Sequence, residues 1–307
     1  MKKLSIVIPV YYNELSLPLL FTELLEIEKK LRSKNVELEL IFVDDGSGDN
    51  SLHELLKIKK QHKNTKVIKL TRNFGVVHAS KIGIQFVTGD CFLILAADLQ
   101  DPPSIIPEMV DRWINGVKFV VCVRKERDDP IVSKIFSNIY YKLIRYFVIK
   151  DYPIGGFDMA LMDRDLLPYL LNSSKSLYTP VLSYWLGFKP EILPYKRQKR
   201  TQGRSRWTFR KKIIAAIDSI LGFSVAPLRL ASLIGIMVSL GSFIYAAWIL
   251  INAVLGRTEV PGFATIAVLI SFLTGVIIFI LSVIGEYLWR IFIEVNKRPE
   301  SVIDEIY

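Results

Sequence analysis

The stretch LELIFVDDGSGDNS, residues 38–51, is strand-like from Leu38 to Val43, stops at two aspartates and turns through Gly46 and Gly48 towards a helical pattern beginning near residue 49. A short β-rich run that closes in an acidic turn and opens a helix is one step of an α/β fold. The same step recurs on either side: Leu4–Val10 precedes it, Lys66–Leu70 and Cys91–Leu95 follow, and helical patterns lie near 16–32, 49–62, 76–87 and 104–115. This rhythm predicts a mostly parallel sheet with helices on both faces. Pro102 and Pro103 punctuate the start of the fourth helix, where proline is tolerated in the first turn. A fifth strand is expected at Phe119–Val123, then the charged turn RKERDD (124–129) and a helix near 131–148. That helix interleaves Ile135, Phe136, Ile139, Tyr140, Leu143 and Phe147 with Lys134, Lys142 and Arg145, which suits core packing and a membrane-surface helix equally well.

The C-terminal third differs. Leu230–Gly256 and Val260–Gly285 carry no charge, and each is long enough to cross a bilayer as a helix. Residues 196–212 (KRQKRTQGRSRWTFRKK) hold nine Lys/Arg and no acid, and 207–223 pair basic residues with an apolar stripe, as an interfacial helix does. Basic residues crowd before the first span, and Arg290, Lys297 and Arg298 follow the second, while the loop between holds Arg257 and Glu259. By the positive-inside rule both termini then face the cytoplasm. The chain has 307 residues, 51% of them hydrophobic, and a formal net charge of +10. Two cysteines, Cys91 and Cys122, sit in apolar runs and read as buried thiols rather than a disulfide framework or zinc site. The apolar run after the basic N-terminus is too short for a signal peptide. No module supports nucleic-acid binding by the basic run.

In open parallel sheets, ligands bind beyond the carboxyl ends of the strands. Three predicted strands end in polar turns: Pro9-Val10-Tyr11-Tyr12-Asn13-Glu14; Asp44-Asp45-Gly46-Ser47 with Asp49 and Ser51; and Asp98, Gln100 and Asp101. Carboxylates from separate strands thus meet on one rim, where they suit a base, a ribose and a hard divalent cation bridging a diphosphate. Asp and Ser also cap helices, and Asp49 reads as a cap.

The strings VIPVYYNE (7–14), VDDGSGDNS (43–51), LTRNFG (70–75) and ADLQDPP (97–103), in that order and spacing, resemble glycosyltransferase family 2. Within it the chain is most similar to the polyprenyl-phosphate glycosyltransferases, the dolichol-phosphate mannose synthase-like and bactoprenol glucosyltransferase-like group. The resemblance continues through GGFDMALMDR (155–164), QGRSRW (202–207) and SVAPLR (224–229) to the two spans. It implies a Rossmann-like GT-A domain over 1–206, an amphipathic juxtamembrane helix over 207–227, two transmembrane helices over 228–290 and a cytoplasmic tail over 291–307. It further implies that Pro9, Tyr11, Asn13, Glu14, Asp44, Asp45 and Arg206 hold the nucleotide-sugar, that Asp98 and Gln100 bind Mg²⁺ or Mn²⁺, and that Asp98 and Asp158 are the catalytic acids. Arg124, Arg127, Arg200 and Ser205 are the expected acceptor-phosphate ligands, although for Arg127 solvated surface charge neutralised by Asp128 and Asp129 is nearly as good a reading. Two positions depart from the family pattern. Ala96 stands where the metal-binding DxD has its first acid, so either the metal is expected to bind more weakly or Asp101 or Asp45 is expected to compensate, and Ala160 stands where relatives often carry Arg.

The implied reaction is inverting transfer of a sugar from a nucleotide-sugar, UDP-linked by preference, to undecaprenyl or another polyprenyl phosphate at the inner membrane, for cell-envelope glycan modification. A phosphate monoester with a second pKa of about 6 is largely dianionic at neutral pH and needs little base assistance. Asp158, the acid proposed as base in relatives, is therefore expected to orient a sugar hydroxyl or an arginine. Relatives form homo-oligomers, often tetramers. Two competing readings are a processive polysaccharide synthase, against which the spacing QxxxRW at 202–207 is one residue too long, and a silent membrane adaptor, for which Ala96 is the motive.

Overall fold

The computed structural model describes residues 1–125, 131–173, 178–197, 209–255, 262–296, 299 and 301–307. The predicted Arg127, Arg200, Ser205 and Arg206 lie outside these. The chain divides into two units, Met1–Ser219 with Arg298–Tyr307, and Ile220–Lys297.

In the first unit the elements run β1 (Lys2–Val10), α1 (Leu17–Arg32), β2 (Val36–Asp44), α2 (Ser51–Gln61), β3 (Thr65–Leu70), α3 (Val76–Gln85), β4 (Cys91–Ile94), α4 (Ile106–Ile114), β5 (Phe119–Arg124) and α5 (Ile131–Phe147). All five predicted strands form within two residues of their expected ends. There follow β6 (Met159–Asp163), α6 (Leu167–Leu171), α7 (Thr179–Trp185), β7 (Pro190–Tyr195) and α8 (Phe209–Leu221), which ends at the boundary. The strand order is β7-β5-β6-β4-β1-β2-β3-β8, the last strand being β8 (Ile303–Ile306). β1 pairs in parallel with β2 and β4, β2 with β3, and β5 with β7, whereas β6 is antiparallel to both neighbours and β8 to β3.

β1 is buried on both faces, as a central parallel strand is. Leu4, Ile6, Ile8 and Val10 share the core with Leu17, Leu20, Leu24 and Leu31 of α1. On the other face Val7 packs under α3, where Gly83 leaves room: a Cβ at Gly83 would lie 2.3 Å from Val7 Cγ1. Both cysteines are free and buried, as expected.

Three strands escaped the sequence reading. β6, MALMD, is short and poor in β-branched residues. β7 carries Pro190 and Pro194, which argue against a central strand, and it lies at the sheet edge where proline is allowed. β8 spans four residues of a segment expected as a tail of its own, and it extends the sheet beyond β3.

α5 buries Ile144 while leaving Ile135, Ile139 and Tyr146 exposed, so it has both a packed side and an open apolar stripe. α8 likewise exposes Ile213, Ile214 and Ile217. The second unit holds α9 (Ala226–Val254) and α10 (Phe263–Val295), with stretches long and apolar enough to cross a membrane at Ala226–Ile249 and Phe272–Val295. The second stretch lies further along than the uncharged run Val260–Gly285, so Glu286 and Arg290 fall within it rather than at its end.

Candidate active site

The chain steps outward from β1 through β2 to β3, then returns to the other side of β1 as β4. This reversal opens a crevice at the carboxyl ends of β1 and β4, the place where open α/β sheets bind ligands. Because β1 to β4 are parallel, the turns after all four share one rim. β5 and β7 run in the same direction, and β6, being antiparallel, brings its N-terminal side to that rim.

On one side of the crevice, the loops after β1 and β2 are stitched together. The Tyr11 N–H donates to Asn13 Oδ1 (2.9 Å), Tyr12 N–H to Ser47 Oγ (3.1 Å) and Asn13 N–H to Ser51 Oγ (2.8 Å). Glu14 N–H donates to Asp49 Oδ2 (3.3 Å), and Asn50 N–H returns a bond to Glu14 Oε2 (2.9 Å). Asp49 Oδ1 also accepts from Ser51 N–H (3.1 Å), the first residue of α2, but the N-cap position is Asn50, so Asp49 makes a turn one residue before the cap it was read as. Pro9 pairs with Val43 across the same two strands, so this predicted set is contiguous. Gly46 has φ +68°, and a Cβ there would fall 2.6 Å from the Arg72 carbonyl carbon, so the DDGS turn presses on the loop after β3.

Asp44 and Asp45 are both buried, and burial raises the pKa of each. Asp44 accepts from Ser47 N–H (3.2 Å). Asp45 spends one oxygen on Phe74 N–H (2.7 Å) and the other on Gly75 N–H (2.9 Å), clamping the LTRNFG loop to the rim.

Across the crevice lies a cluster that the sequence showed only in part. Arg124, at the end of β5, makes a two-pronged contact with Asp158 through Nε and a terminal nitrogen. The Tyr195 hydroxyl, at the end of β7, lies 2.8 Å from Asp158 Oδ2 and 2.6 Å from Asp101 Oδ1. Arg197 Nε sits 3.3 Å from the same Asp101 oxygen, an ion-pair distance whose angle makes no hydrogen bond. Burial and the neighbouring Asp158 raise the pKa of Asp101. Burial, with the two carboxylates, pushes the Tyr195 phenol far up. Burial works against the charge of Arg124, but Asp158 outweighs it and holds the guanidinium protonated.

Asp98 and Gln100 stand at the β4 side of the crevice, both half-buried, with Gln100 N–H donating to Asp98 Oδ1 (3.2 Å). Leu99 between them has φ +58°, which turns the chain sharply. The two acids expected to compensate for Ala96 both have other partners in this structure. Asp101 is occupied by Tyr195 and Arg197, and Asp45 by two backbone amides. Among the described residues no group of three or more His, Cys, Asp or Glu gathers as a metal cluster. The donors still fit a hard cation, since Mg²⁺ commonly takes one or two carboxylates and draws its other ligands from water and substrate phosphates.

Residues 5–171 match the sequence pattern described as Glycosyl transferase family 2, more than half of the chain. The chain belongs to glycosyltransferase family 2. An uncharacterised glycosyltransferase of Synechocystis sp. is 35% identical over 99% of this chain and 96% of its own length. A prophage bactoprenol glucosyl transferase homologue of Escherichia coli is 30% identical over 99% of both chains. Among solved structures, a mannosyltransferase of Pyrobaculum calidifontis in complex with GDP-Man and Mn²⁺ aligns with 91% of this chain and 87% of its own, at 17% identity and a TM-score of 0.48. This family 2 protein is therefore a glycosyltransferase, with a mostly parallel sheet whose rim carries its candidate residues. Tyr195 and Arg197 were missed because β7 was missed. The signal available was an apolar run ending in PYKR (194–197), the same strand-then-polar-turn pattern as the other rim strands.

Proposed function

We propose that this glycosyltransferase moves a sugar from a nucleotide-sugar, UDP-linked, to a polyprenyl phosphate, undecaprenyl phosphate in a bacterial membrane, inverting the anomeric configuration. The observation that carries the reading is the division of the rim. The acidic, amide-rich loops of β1 and β2 lie on one side of the switch point, and the loop after β4, with Asp98 and Gln100, lies on the other beside the Arg124–Asp158–Tyr195–Asp101–Arg197 cluster. A full-length relative named for bactoprenol glucosyl transfer supports the lipid acceptor.

Pro9, Tyr11, Asn13, Glu14, Asp44 and Asp45 shape the donor pocket. The last two act partly by fixing backbone: Asp45 presents the loop after β3, and Asp44 the turn at Ser47. Asp98 and Gln100 would hold Mg²⁺ or Mn²⁺, which when bound neutralises the diphosphate leaving group. The acceptor phosphate, largely dianionic at neutral pH, attacks the anomeric carbon in line and needs little proton transfer. The protein's tasks are then to juxtapose two anions and stabilise departing charge. Asp158 serves the first by orienting Arg124, whose remaining terminal nitrogen faces no partner demand from that fork. Arg127, Arg200, Ser205 and Arg206 belong to the same proposal on sequence grounds alone.

Three observations support a membrane location, and the basic residues flanking the candidate spans support a cytoplasmic catalytic unit. α9 and α10 have the length and apolarity of spans. The chain leaves the catalytic unit after Ser219 and returns to it at Arg298, the connectivity that a pair of spans requires. α5 and α8 keep isoleucine stripes exposed.

The test is nucleotide release from a panel of UDP- and GDP-sugars by detergent-purified protein with Mn²⁺ or Mg²⁺, with and without undecaprenyl phosphate. Release from one donor only with lipid present is the expected result. Release without lipid, or from no donor while Ala96→Asp is active, would overturn the proposal for the natural chain.

A further inference from the structure

α5 touches the catalytic unit through few residues. Between Ile135 and Phe147 only Ile144 is buried, and Ile135, Ile139 and Tyr146 are exposed. Tyr141 is half-buried, and its ring lies against Gly156: a Cβ there would fall 2.4 Å from Tyr141 Cε1, Cζ and Oη alike. Gly156 also has φ +71°, and its neighbour Gly155 has φ +86°. Two successive left-handed residues make a turn open to glycine and to little else.

The freedom that lets glycine form this turn leaves it without stiffness of its own. What the turn carries needs stiffness. Asp158 follows two residues after Gly156, and its oxygens make the fork with Arg124 and meet Tyr195. A forked arginine–carboxylate contact is specific in geometry, so a shift of the Asp158 backbone re-aims the guanidinium. Gly156 N–H donates to Pro153 O (2.9 Å) and Asp158 N–H to Cys122 O (3.4 Å), and the remaining support is aromatic. Tyr141 stacks on Tyr152, with centroids 6.2 Å apart and planes at 18°. Tyr152 in turn meets Phe157 at 5.8 Å and Tyr184 at 5.1 Å, and Phe157 packs on Phe119 of β5 at 6.1 Å. The Tyr184 hydroxyl donates to Asp151 O (2.8 Å), which ties down the start of the same loop. Tyr152 and Phe157 belong to the loop itself, whereas Tyr141 reaches it from α5 and touches the glycine backbone directly. Supporting groups of this kind hold a functional side chain in its working geometry.

We propose that Tyr141 is a positioning residue for the acceptor cluster: its ring sets the Gly155-Gly156 turn, and through that turn the Asp158 carboxylate that aims Arg124. This deepens the proposed transfer reaction and rests on it for the kinetic readout, whereas the structural readout does not.

The experiment uses the full-length protein in mild detergent. It measures steady-state transfer to undecaprenyl phosphate from the donor that the panel above selects, and amide hydrogen exchange of the substrate-free protein. Tyr141→Ala should lower kcat about ten- to hundredfold while the donor KM stays within about twofold. Tyr141→Phe keeps Cε1 and Cζ against the glycine and should stay within about twofold of wild type. Gly156→Ala should lower kcat as Tyr141→Ala does, and the double variant should be no worse than the poorer single one, because both disturb one contact. Should Tyr141→Ala fail to fold, Tyr141→Leu carries the same expectations. Losses that multiply in the double variant would overturn the contact, and an equal loss in Tyr141→Phe would overturn the ring as its carrier. In the exchange experiment, Tyr141→Ala should speed exchange at residues 154–158 about tenfold and leave the loops after β1 and β2 unchanged. Faster exchange throughout the unit would make Tyr141 a general packing residue and overturn its positioning role. A wild type that transfers nothing, with the local exchange change present, would sink the proposed reaction and uphold the coupling. An active wild type whose Tyr141→Ala variant keeps its kcat would sink the coupling alone.

Discussion

Asp158 shows how a residue's role depends on what holds it. Its two oxygens meet Arg124 and one also meets Tyr195, contacts that favour the proposed positioning role over that of a base. Tyr195 ties two carboxylates that would otherwise repel, and it lies on a strand that no donor motif includes. Tyr195→Phe should therefore lower kcat by about ten- to hundredfold while the donor KM stays within about twofold, as loss of positioning does. Steady-state kinetics with saturating lipid checks this, and an unchanged kcat would remove Tyr195 from the cluster's function. At Ala96 the argument runs through charge. A second carboxylate beside Asp98 adds a hard oxygen ligand, so Ala96→Asp should lower the half-saturating Mn²⁺ concentration by about tenfold. No shift in the Mn²⁺ titration would mean that Asp98 does not hold the metal.

Between elements, the decisive contacts are buried polar ones. Glu39 of β2, 5% exposed, accepts from Ser5 Oγ on β1 and from Thr88 N–H (3.0 Å) and Oγ1 (2.8 Å) before β4. Burial alone would raise its pKa, but these bonds outweigh it and hold the carboxyl below the usual 4.5. A depressed carboxylate contributes stability in full above its unfolded pKa and loses it as pH falls through the folded one. Glu39→Gln should thus cost about 1–3 kcal/mol at pH 7. It should also flatten the fall of the thermal midpoint below about pH 4.5, measured in detergent across pH 3–7. β8 is the second such device. Tyr307 N–H donates to Val67 O (2.8 Å) and Thr71 N–H to Val302 O (3.0 Å), covering the edge of β3. Truncation after Ser301 should lower the thermal midpoint by several degrees and expose β3 to aggregation, visible by light scattering.

For the whole molecule, the chain's return to the sheet constrains the hairpin. If α9 and α10 are the two spans proposed above, a segment that leaves and rejoins one folded unit crosses the bilayer twice, which predicts residue 258 on the side opposite both termini. Thr258→Cys should react with an impermeant maleimide on intact cells, and Asp304→Cys only after permeabilisation. Equal labelling of both would sink the paired-span topology. The two native thiols give no background, since burial pushes Cys122 up to about 12 and raises Cys91 further.

By itself the sequence determined the five leading strands, the mostly parallel sheet, the rim residues on β1, β2 and β4, and the two apolar helices. Those signals are local, because apolar periodicity and strand-then-acidic-turn steps lie within a few residues of each other. Only the tertiary structure decided what pairs across distance. β6, β7 and β8 have short, proline-bearing or charged sequences that become strands because a neighbouring edge accepts them. Asp101 meets Tyr195 across 94 residues, and the tail meets β3 across more than two hundred. The same closure decided that Asp45 and Asp101, which looked available to replace the missing acid at Ala96, are already engaged by backbone amides, a phenol and an arginine. A carboxylate's availability is set by the donors that folding brings to it, and no local pattern records those.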